Sequence, residues 1–317
     1  MAMFRRSFLV SSAALGAACM IGLLGSIAAF ASEDTHGVMR VDLGSVVVTT
    51  LSDGHFVRPL DANFVTNASL EDVQAALNEA GLPTDRVEVP FTALVVDMGD
   101  QRILFDAGNG EFGAPTAGSM LENMAAAGIE PQSITAVVIS HFHGDHINGL
   151  RNRAGDLVFP NATIHVPEPE WNWWMDDARM AEAPEAMQGR FNATRRVFGP
   201  IADAVIRFEP GAEVLPGVRS VPAFGHTPGH TAFIIEGGER TLMYWADTTN
   251  VAALFARNPD WAVAFDMDAE TARQTRRELA EKVVSEDMLL AGFHLPGSAI
   301  GSLVRRGNGY DFIPLAD

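Results

Sequence analysis

A short histidine-rich stretch, residues 140–146 (SHFHGDH), constrains this chain more than any other part of its sequence. It holds three of the nine histidines among 317 residues, and it directly follows the apolar run 134–139. That run has the length and the β-branched content of a fully buried strand. A buried strand that ends in three imidazoles and a carboxylate predicts a metal site at the strand end.

The geometry of an extended chain indicates how this stretch is used. Side chains of a strand alternate between its two faces, so His141 and His143 point to the same side. Gly144 permits a sharp turn of the backbone, after which Asp145 and His146 face a second direction. We therefore expect one short loop to serve two adjacent metal ions.

The charge of the chain limits its partners. It carries 22 basic and 40 acidic residues, for a formal net charge of −18. Binding to nucleic-acid phosphates needs clustered lysines and arginines, so we expect no nucleic-acid partner. The length allows one large domain or two small ones, and 47% hydrophobic residues suffice for a substantial core.

The amino terminus is predicted to be an export signal, residues 1–31, and not part of the fold. Residues 5–9 (RRSFL) resemble the twin-arginine signal, and an A-x-A cleavage site ends at Ala31. The mature domain would cover residues 32–317, in the periplasm or secreted, with no stable membrane anchor. The alternative is an uncleaved anchor, because about 20 apolar residues span a bilayer.

The single cysteine, Cys19, lies within this predicted signal, so the mature chain has none. Thiolate nucleophiles and cysteine metal ligands are thereby excluded for the mature protein. Any metal site must be built from histidines and carboxylates.

Other candidate ligands also follow predicted strands. Asp106 ends the second strand of a hairpin, and Asp247 and His294 end two later apolar strands. The loop 225–230 (GHTPGH) supplies His230, which follows a Pro-Gly turn and is interpreted as a metal ligand. Strand ends that converge on one rim form the active-site edge of a layered α/β protein. His226, earlier in that loop, is interpreted as a residue that orients a ligand without binding the metal.

With these residues in hand, the chain resembles the metallo-β-lactamase superfamily. The matching motifs are Asp106, His141-x-His143-x-Asp145-His146, Thr227-Pro228-Gly229-His230, Asp247 and His294. Within the superfamily the chain is most similar to the branch of methyl parathion hydrolase and the dinuclear-zinc quorum-quenching lactonases. Segments 52–54, 250–266 and 292–296 carry this narrower likeness.

The resemblance implies an α+β fold, a four-layer αββα sandwich with two metal ions at one edge. It implies His141, His143 and His230 as ligands of one ion, Asp145, His146 and His294 as ligands of the other, Asp247 as a bridge and Asp106 as a support. Imidazole and carboxylate ligands favour two zinc ions and are also compatible with manganese, iron or cobalt. Members of this branch often form dimers, so a homodimer is compatible with the likeness.

The resemblance also implies a small-molecule substrate and a reaction, in which a hydroxide shared by the two metals attacks a lactone or ester. Asp145 and Asp247 would be its catalytic residues, and Asp145 would pass a proton to the leaving group. Many zinc β-lactamases have a cysteine where this chain has Asp247, which disfavours β-lactam hydrolysis. The related lactonases have a tyrosine where this chain has Asn250, which weakens an acyl-homoserine-lactone assignment. A phosphotriesterase on the same site is the alternative, and a non-catalytic metal-binding protein is a third hypothesis.

The substrate pocket is predicted from aromatic residues. Phe112, in a glycine-rich loop after Asp106, is a candidate lid over the metals. Trp173 or Trp174 would form an aromatic wall, whereas the spacing of Trp171 and Trp174 on one helical face is typical of core residues.

Overall fold

The computed structural model describes residues 37–316, so the export signal predicted for residues 1–31 lies outside the described part. Within the described part, no helix combines the length and the apolar character that a membrane crossing requires.

Seven strands form the first sheet, in the order of the chain. They are β1 (Val38–Asp42), β2 (Val47–Pro59), β3 (Arg86–Met98), β4 (Gln101–Phe105), β5 (Ala136–Val138), β6 (Thr163–Pro167) and β7 (Ile206–Phe208). Strands β1 to β4 pair antiparallel, whereas β4 to β7 pair parallel. The parallel strands therefore end at the same edge of the sheet.

Seven further strands form the second sheet. They are β8 (Glu213–Leu215), β9 (Val218–Pro222), β10 (Thr231–Glu236), β11 (Thr241–Tyr244), β12 (Leu289–Ala291), β13 (Ile300–Arg306) and β14 (Gly309–Pro314). They lie in the order β14 to β8, and β11 and β12 are the parallel pair. Both strands of that pair end next to a predicted ligand, Asp247 after β11 and His294 after β12.

Eight α-helices complete the described part of the chain. They are α1 (Leu70–Glu79), α2 (Met120–Ala126), α3 (Gly144–Ile147), α4 (Glu168–Trp174), α5 (Asp177–Glu182), α6 (Glu185–Phe198), α7 (Ala252–Phe255) and α8 (Ala269–Ser285). Ser69 and Asp268 are residues typical of helix starts, and their side chains accept backbone N–H groups at the beginning of α1 and α8.

The two sheets pack face to face, with helices outside them. Phe105 of the first sheet lies 5.3 Å from Phe233 and 5.7 Å from Tyr244 of the second, measured between ring centroids. Strand side chains alternate, so Met243 turns outward and packs in one cluster with Leu279 of α8. This confirms the predicted αββα sandwich.

Two local features differ from what their sequences indicate. The sequence Ser52-Asp53-Gly54 is typical of a turn that closes a strand, but β2 continues through it with a bulge, and Gly54 takes a φ of 90° there. The bulge turns Asp53 inward, where it accepts hydrogen bonds from the backbone N–H groups of Asn109 and Met120.

The sequence of residues 168–187 indicates one helix, but the structure divides it into α4, α5 and the start of α6, with new helix starts at Asp176 and Pro184.

Candidate metal centre

The candidate metal ligands come from loops at one edge of the sandwich. His141 and His143 follow β5, and Asp145 and His146 lie in the first turn of α3. His226 lies between β9 and β10. Together with Asp247 and His294 these side chains form two overlapping groups, each able to hold a metal ion.

The first group consists of His141, His143, His226 and Asp247, whose ligand atoms lie within 4.8 Å of one another. His143 Nδ1 is 3.0 Å from both His141 Nε2 and His226 Nε2. Asp247 Oδ2 is 3.2 Å from His226 Nε2. As predicted, His141 and His143 face the same point.

The second group consists of Asp145, His146, Asp247 and His294, again within 4.8 Å. Asp145 Oδ2 is 3.5 Å from His146 Nε2 and 3.5 Å from His294 Nε2. Asp247 presents Oδ1 to His146 at 3.1 Å and Oδ2 to His294 at 3.0 Å. Asp247 is therefore the residue common to both groups.

The donor atoms of these groups fit divalent cations. His146 Nε2 and Asp247 Oδ1 are buried and lie 3.1 Å apart, but they do not meet the geometry of a hydrogen bond, and neither atom has another hydrogen-bond partner. Such unpaired buried polar atoms cost free energy unless something binds them. A cation between the two atoms would satisfy both, and a set of imidazoles and carboxylates without thiolate suits zinc.

In four of the candidate ligand histidines, the ring nitrogen that faces away from the centre contacts a neighbouring polar group. The contacts are His141 Nδ1 with Ser140 Oγ (3.0 Å), His146 Nδ1 with Asp106 Oδ2 (2.8 Å), His226 Nδ1 with Asp266 Oδ1 (3.0 Å) and His294 Nδ1 with the Pro90 carbonyl (2.7 Å). Such contacts orient each ring so that Nε2 faces the metal. The supporting position predicted for Asp106 agrees with this geometry.

The prediction for the 225–230 loop was wrong, because His226 and not His230 completes the first group. His230 uses both ring nitrogens for backbone contacts: Nδ1 donates to the Ala223 carbonyl at 2.7 Å, and Nε2 accepts the Asp247 N–H at 3.0 Å. Burial lowers the pKa of His230 to about 4, which keeps the ring neutral for this pairing. His230 thus fixes the backbone of Asp247.

The pKa values of the candidate ligands shift in both directions. Burial would lower the pKa of His146 and of His226, but Asp247 and other nearby carboxylates raise the pKa of His146 well above its ordinary value and that of His226 to about 9, so a cation must displace a proton from each of these rings. Burial lowers the pKa of His141 well below its ordinary value, so the ring is neutral and keeps a lone pair. Burial alone would raise the pKa of Asp247, but the neighbouring His294, His146 and His141 hold that pKa well below its usual range. The shared carboxylate is therefore ionised.

Glu170, which the sequence analysis missed, ties the two histidine-bearing loops together. Its Oε1 accepts the Phe142 N–H at 3.0 Å and the Trp174 indole N–H at 2.8 Å. Its Oε2 accepts the Thr227 hydroxyl at 2.9 Å and the Gly229 N–H at 2.7 Å. Burial raises the pKa of Glu170, and these four donors oppose that shift. No metal-type spacing marks Glu170 in the sequence.

We expect Glu170→Gln to weaken metal binding by about 10- to 100-fold and to lower stability by about 1–3 kcal/mol. Whichever way the new amide is turned, its NH₂ group faces two donors, one of which is a backbone N–H. Competition with a chromophoric chelator and thermal unfolding measure the two effects. Trp174→Phe, which removes one donor and leaves the carboxylate, is the control with the smaller expected change. Metal affinity of Glu170→Gln equal to wild type would contradict this role.

Comparison with known proteins identifies the family. The Metallo-beta-lactamase superfamily profile matches residues 88–294, which is more than half of the chain. The chain belongs to the metallo-β-lactamase superfamily. The match includes every candidate ligand of both groups, from His141 to His294.

Individual superfamily members are more distantly similar. The N-acyl homoserine lactonase of a Bacillus species is 25% identical over 235 residues, 67% of this chain and 84% of that protein. Ribonuclease Z of Pyrococcus furiosus is 33% identical over 90 residues, 28% of this chain and only 26% of that enzyme. The solved structure of AidC, a dizinc quorum-quenching lactonase in complex with a homoserine product, has a TM-score of 0.83 at 24% identity, over 89% of this chain and 98% of AidC. These likenesses support the superfamily fold.

A cavity of about 440 Å³ opens onto the two groups of candidate metal ligands. Its apolar lining includes Phe56, Val89, Phe91, Phe112 and Phe265, and its polar lining includes Asn109, Asn148, Arg190 and Asn250. The Phe91 ring lies 5.5 Å from the His294 ring between centroids. The aromatic wall formed by Phe56, Phe91 and Phe265 therefore reaches the second group of candidate ligands.

The predicted pocket residues have different outcomes. Phe112 and Asn250 line the cavity, and the Arg196 guanidinium lies 3.7 Å from the Phe112 ring centroid. Neither Trp173 nor Trp174 lines it. Trp174 is fully buried and donates to Glu170, whereas Trp173 lies beneath the guanidinium of Arg179, 4.0 Å from its ring centroid. The aromatic wall comes from other parts of the chain, β2, β3 and the segment that contains Phe265.

Proposed function

We propose that this superfamily member is a dinuclear metal-dependent hydrolase of lactones or related esters. The observation that carries the proposal is the shared carboxylate of Asp247, one oxygen of which faces His146 while the other faces His226 and His294. A bridging carboxylate between two histidine groups builds a centre for activating water, which metal storage does not require. The similarity to a Bacillus lactonase supports the substrate class.

When bound, two divalent cations would supply Lewis-acid chemistry, lowering the pKa of water and polarising a scissile carbonyl. Residues of the chain would supply the proton transfer and the positioning of the cations. Asp145 is 22% exposed and lines the cavity, whereas Asp247 is only 3% exposed. We assign Asp145 the transfer of a proton from the attacking water to the leaving oxygen, and Asp247 the positioning of both cations. The aromatic wall would exclude water around an apolar substituent.

A phosphotriesterase is the second candidate, and the lining of the cavity favours it. Phe91 and Phe265 lie where an aryl leaving group could pack, and Asn250 stands in place of the tyrosine of related lactonases. Both reactions use the same centre, so metal binding alone does not separate them. Only turnover distinguishes the two substrate classes.

The decisive experiment is a turnover screen of the full chain loaded with zinc, manganese or cobalt. We expect hydrolysis of lactones or aryl esters with kcat/KM at least about tenfold above that for paraoxon-type phosphotriesters. The reverse preference would favour the phosphotriesterase. Protein that binds metal but hydrolyses no lactone, ester, thioester or phosphotriester would contradict the hydrolase proposal and support a non-catalytic role. Chelated protein serves as the control.

A further inference from the structure

Arg190, on α6, is the only lysine or arginine that lines the cavity in the described part of the chain. It forms no ion pair with a carboxylate of residues 37–316, although the chain has 40 acidic residues against 22 basic ones. Its helix neighbour Arg195, by contrast, is paired with Asp177 at 2.6 Å. A guanidinium left without a partner beside a metal centre is available to an anion that enters the cavity.

The contact between Arg190 and His143 uses one side of the guanidinium at most. Arg190 Nη1 lies 3.4 Å from His143 Nε2. A guanidinium carries five N–H donors in a planar fork. Most of the hydrogen-bonding capacity of Arg190 is therefore left for another group.

Asn148 provides a second donor in the same cavity. Its Oδ1 accepts a hydrogen bond from Arg196, which fixes the orientation of the amide. Arg196 is itself held over the ring of Phe112. The Nδ2 of Asn148 is therefore turned the other way, and it has no acceptor within residues 37–316. The cavity thus presents the guanidinium of Arg190, most of whose donors are free, and one neutral donor from Asn148.

We propose that Arg190 and Asn148 form a subsite for a carboxylate that the substrate carries in addition to its scissile bond. A planar guanidinium matches a carboxylate in charge and in geometry, and charge-assisted hydrogen bonds are among the strongest that proteins form. The inference rests on the proposed hydrolase function and narrows it to lactones or esters of acids with a second, free carboxylate. The aromatic wall would hold the apolar part of such a substrate.

The test compares one ester with and without the free acid, on the metal-loaded full chain. The substrates are mono-para-nitrophenyl glutarate and its methyl ester. We expect Arg190→Met to lower kcat/KM for the acid by about 10- to 100-fold and for the methyl ester by less than about threefold. Arg190→Lys keeps the charge and should retain part of the preference. Arg195→Met removes the same charge from the same helix outside the cavity and should change neither value.

A binding measurement separates this subsite from the hydrolase proposal. Glutaranilic acid, an amide analogue, should bind in calorimetry about 10-fold or more tightly to wild type than to Arg190→Met, and its methyl ester should not discriminate. Such binding without turnover of any ester would support the subsite while contradicting the hydrolase. Equal kcat/KM of wild type and Arg190→Met for the acid, or equal binding of glutaranilic acid, would overturn the subsite.

Discussion

Asp247→Ala is expected to lose both metal ions and to lower kcat/KM by about 10³-fold or more. Asp247 presents Oδ1 to His146 and Oδ2 to His226 and His294, so a single substitution removes an oxygen ligand from each group. The catalytic contribution of bound metal is several kcal/mol, and each 1.36 kcal/mol corresponds to a factor of ten in rate. The effect should exceed that of any substitution in only one group.

Metal content by mass spectrometry and turnover of the preferred ester measure this effect. Asp97→Ala is a control, because it removes a carboxylate that pairs with Arg102 and belongs to neither group of candidate ligands. Circular dichroism of the two variants shows whether each is folded. An Asp247→Ala protein with two ions and activity within about tenfold of wild type would contradict a shared carboxylate.

The two histidines of the 225–230 loop should behave differently when replaced. His226→Ala removes a nitrogen that lies 3.0 Å from His143 Nδ1, so we expect loss of one ion and at least about 100-fold lower kcat/KM. His230→Ala leaves the Asp247 N–H without its acceptor. We expect that variant to keep two ions at saturating metal and to lose about 1–3 kcal/mol of stability.

Metal titration of each chelated variant, together with thermal unfolding, measures the difference. The two variants are matched controls for each other, because each removes one imidazole from the same loop, residues 225–230. Two ions in His226→Ala and one in His230→Ala would reverse the assignment. That result would restore the ligand set that the sequence motif alone suggested.

The ligand loop could be predicted from sequence because its geometry is local. The loop after β5 brings His141 and His143 to one point, and the start of α3 at Gly144 redirects Asp145 and His146. Asp247 and His294 could be predicted because each follows an apolar run that reads as a strand. Here the chain direction and the strand end determine where the side chain lies.

The roles of His226 and His230 could not be separated in this way. Both lie in one short loop, and spacing does not show which ring reaches the metal group. The choice depends on the backbone of other elements: the Ala223 carbonyl and the Asp247 N–H occupy both nitrogens of His230. Those partners are set by the packing of β9, β10 and β11, which no local motif describes.

Phe112 and Asn250 of the pocket were predicted from the sequence, but its other aromatic residues could not be, for a similar reason. Phe56, Phe91 and Phe265 are far apart in the chain and converge only when β2, β3 and the segment before α8 pack together. Trp174 has helical spacing that is typical of the core, and the structure confirms that interpretation. Glu170 lies in the same helix and gains its role only through partners in two distant loops.

The most direct test of this account is the number of metal ions per chain in purified, metal-loaded wild-type protein. Two overlapping ligand groups that share Asp247 predict close to two ions per chain. The count can be made by mass spectrometry against a protein concentration from amino-acid analysis. A single ion per chain at saturating metal, in protein that is fully active, would contradict the dinuclear centre.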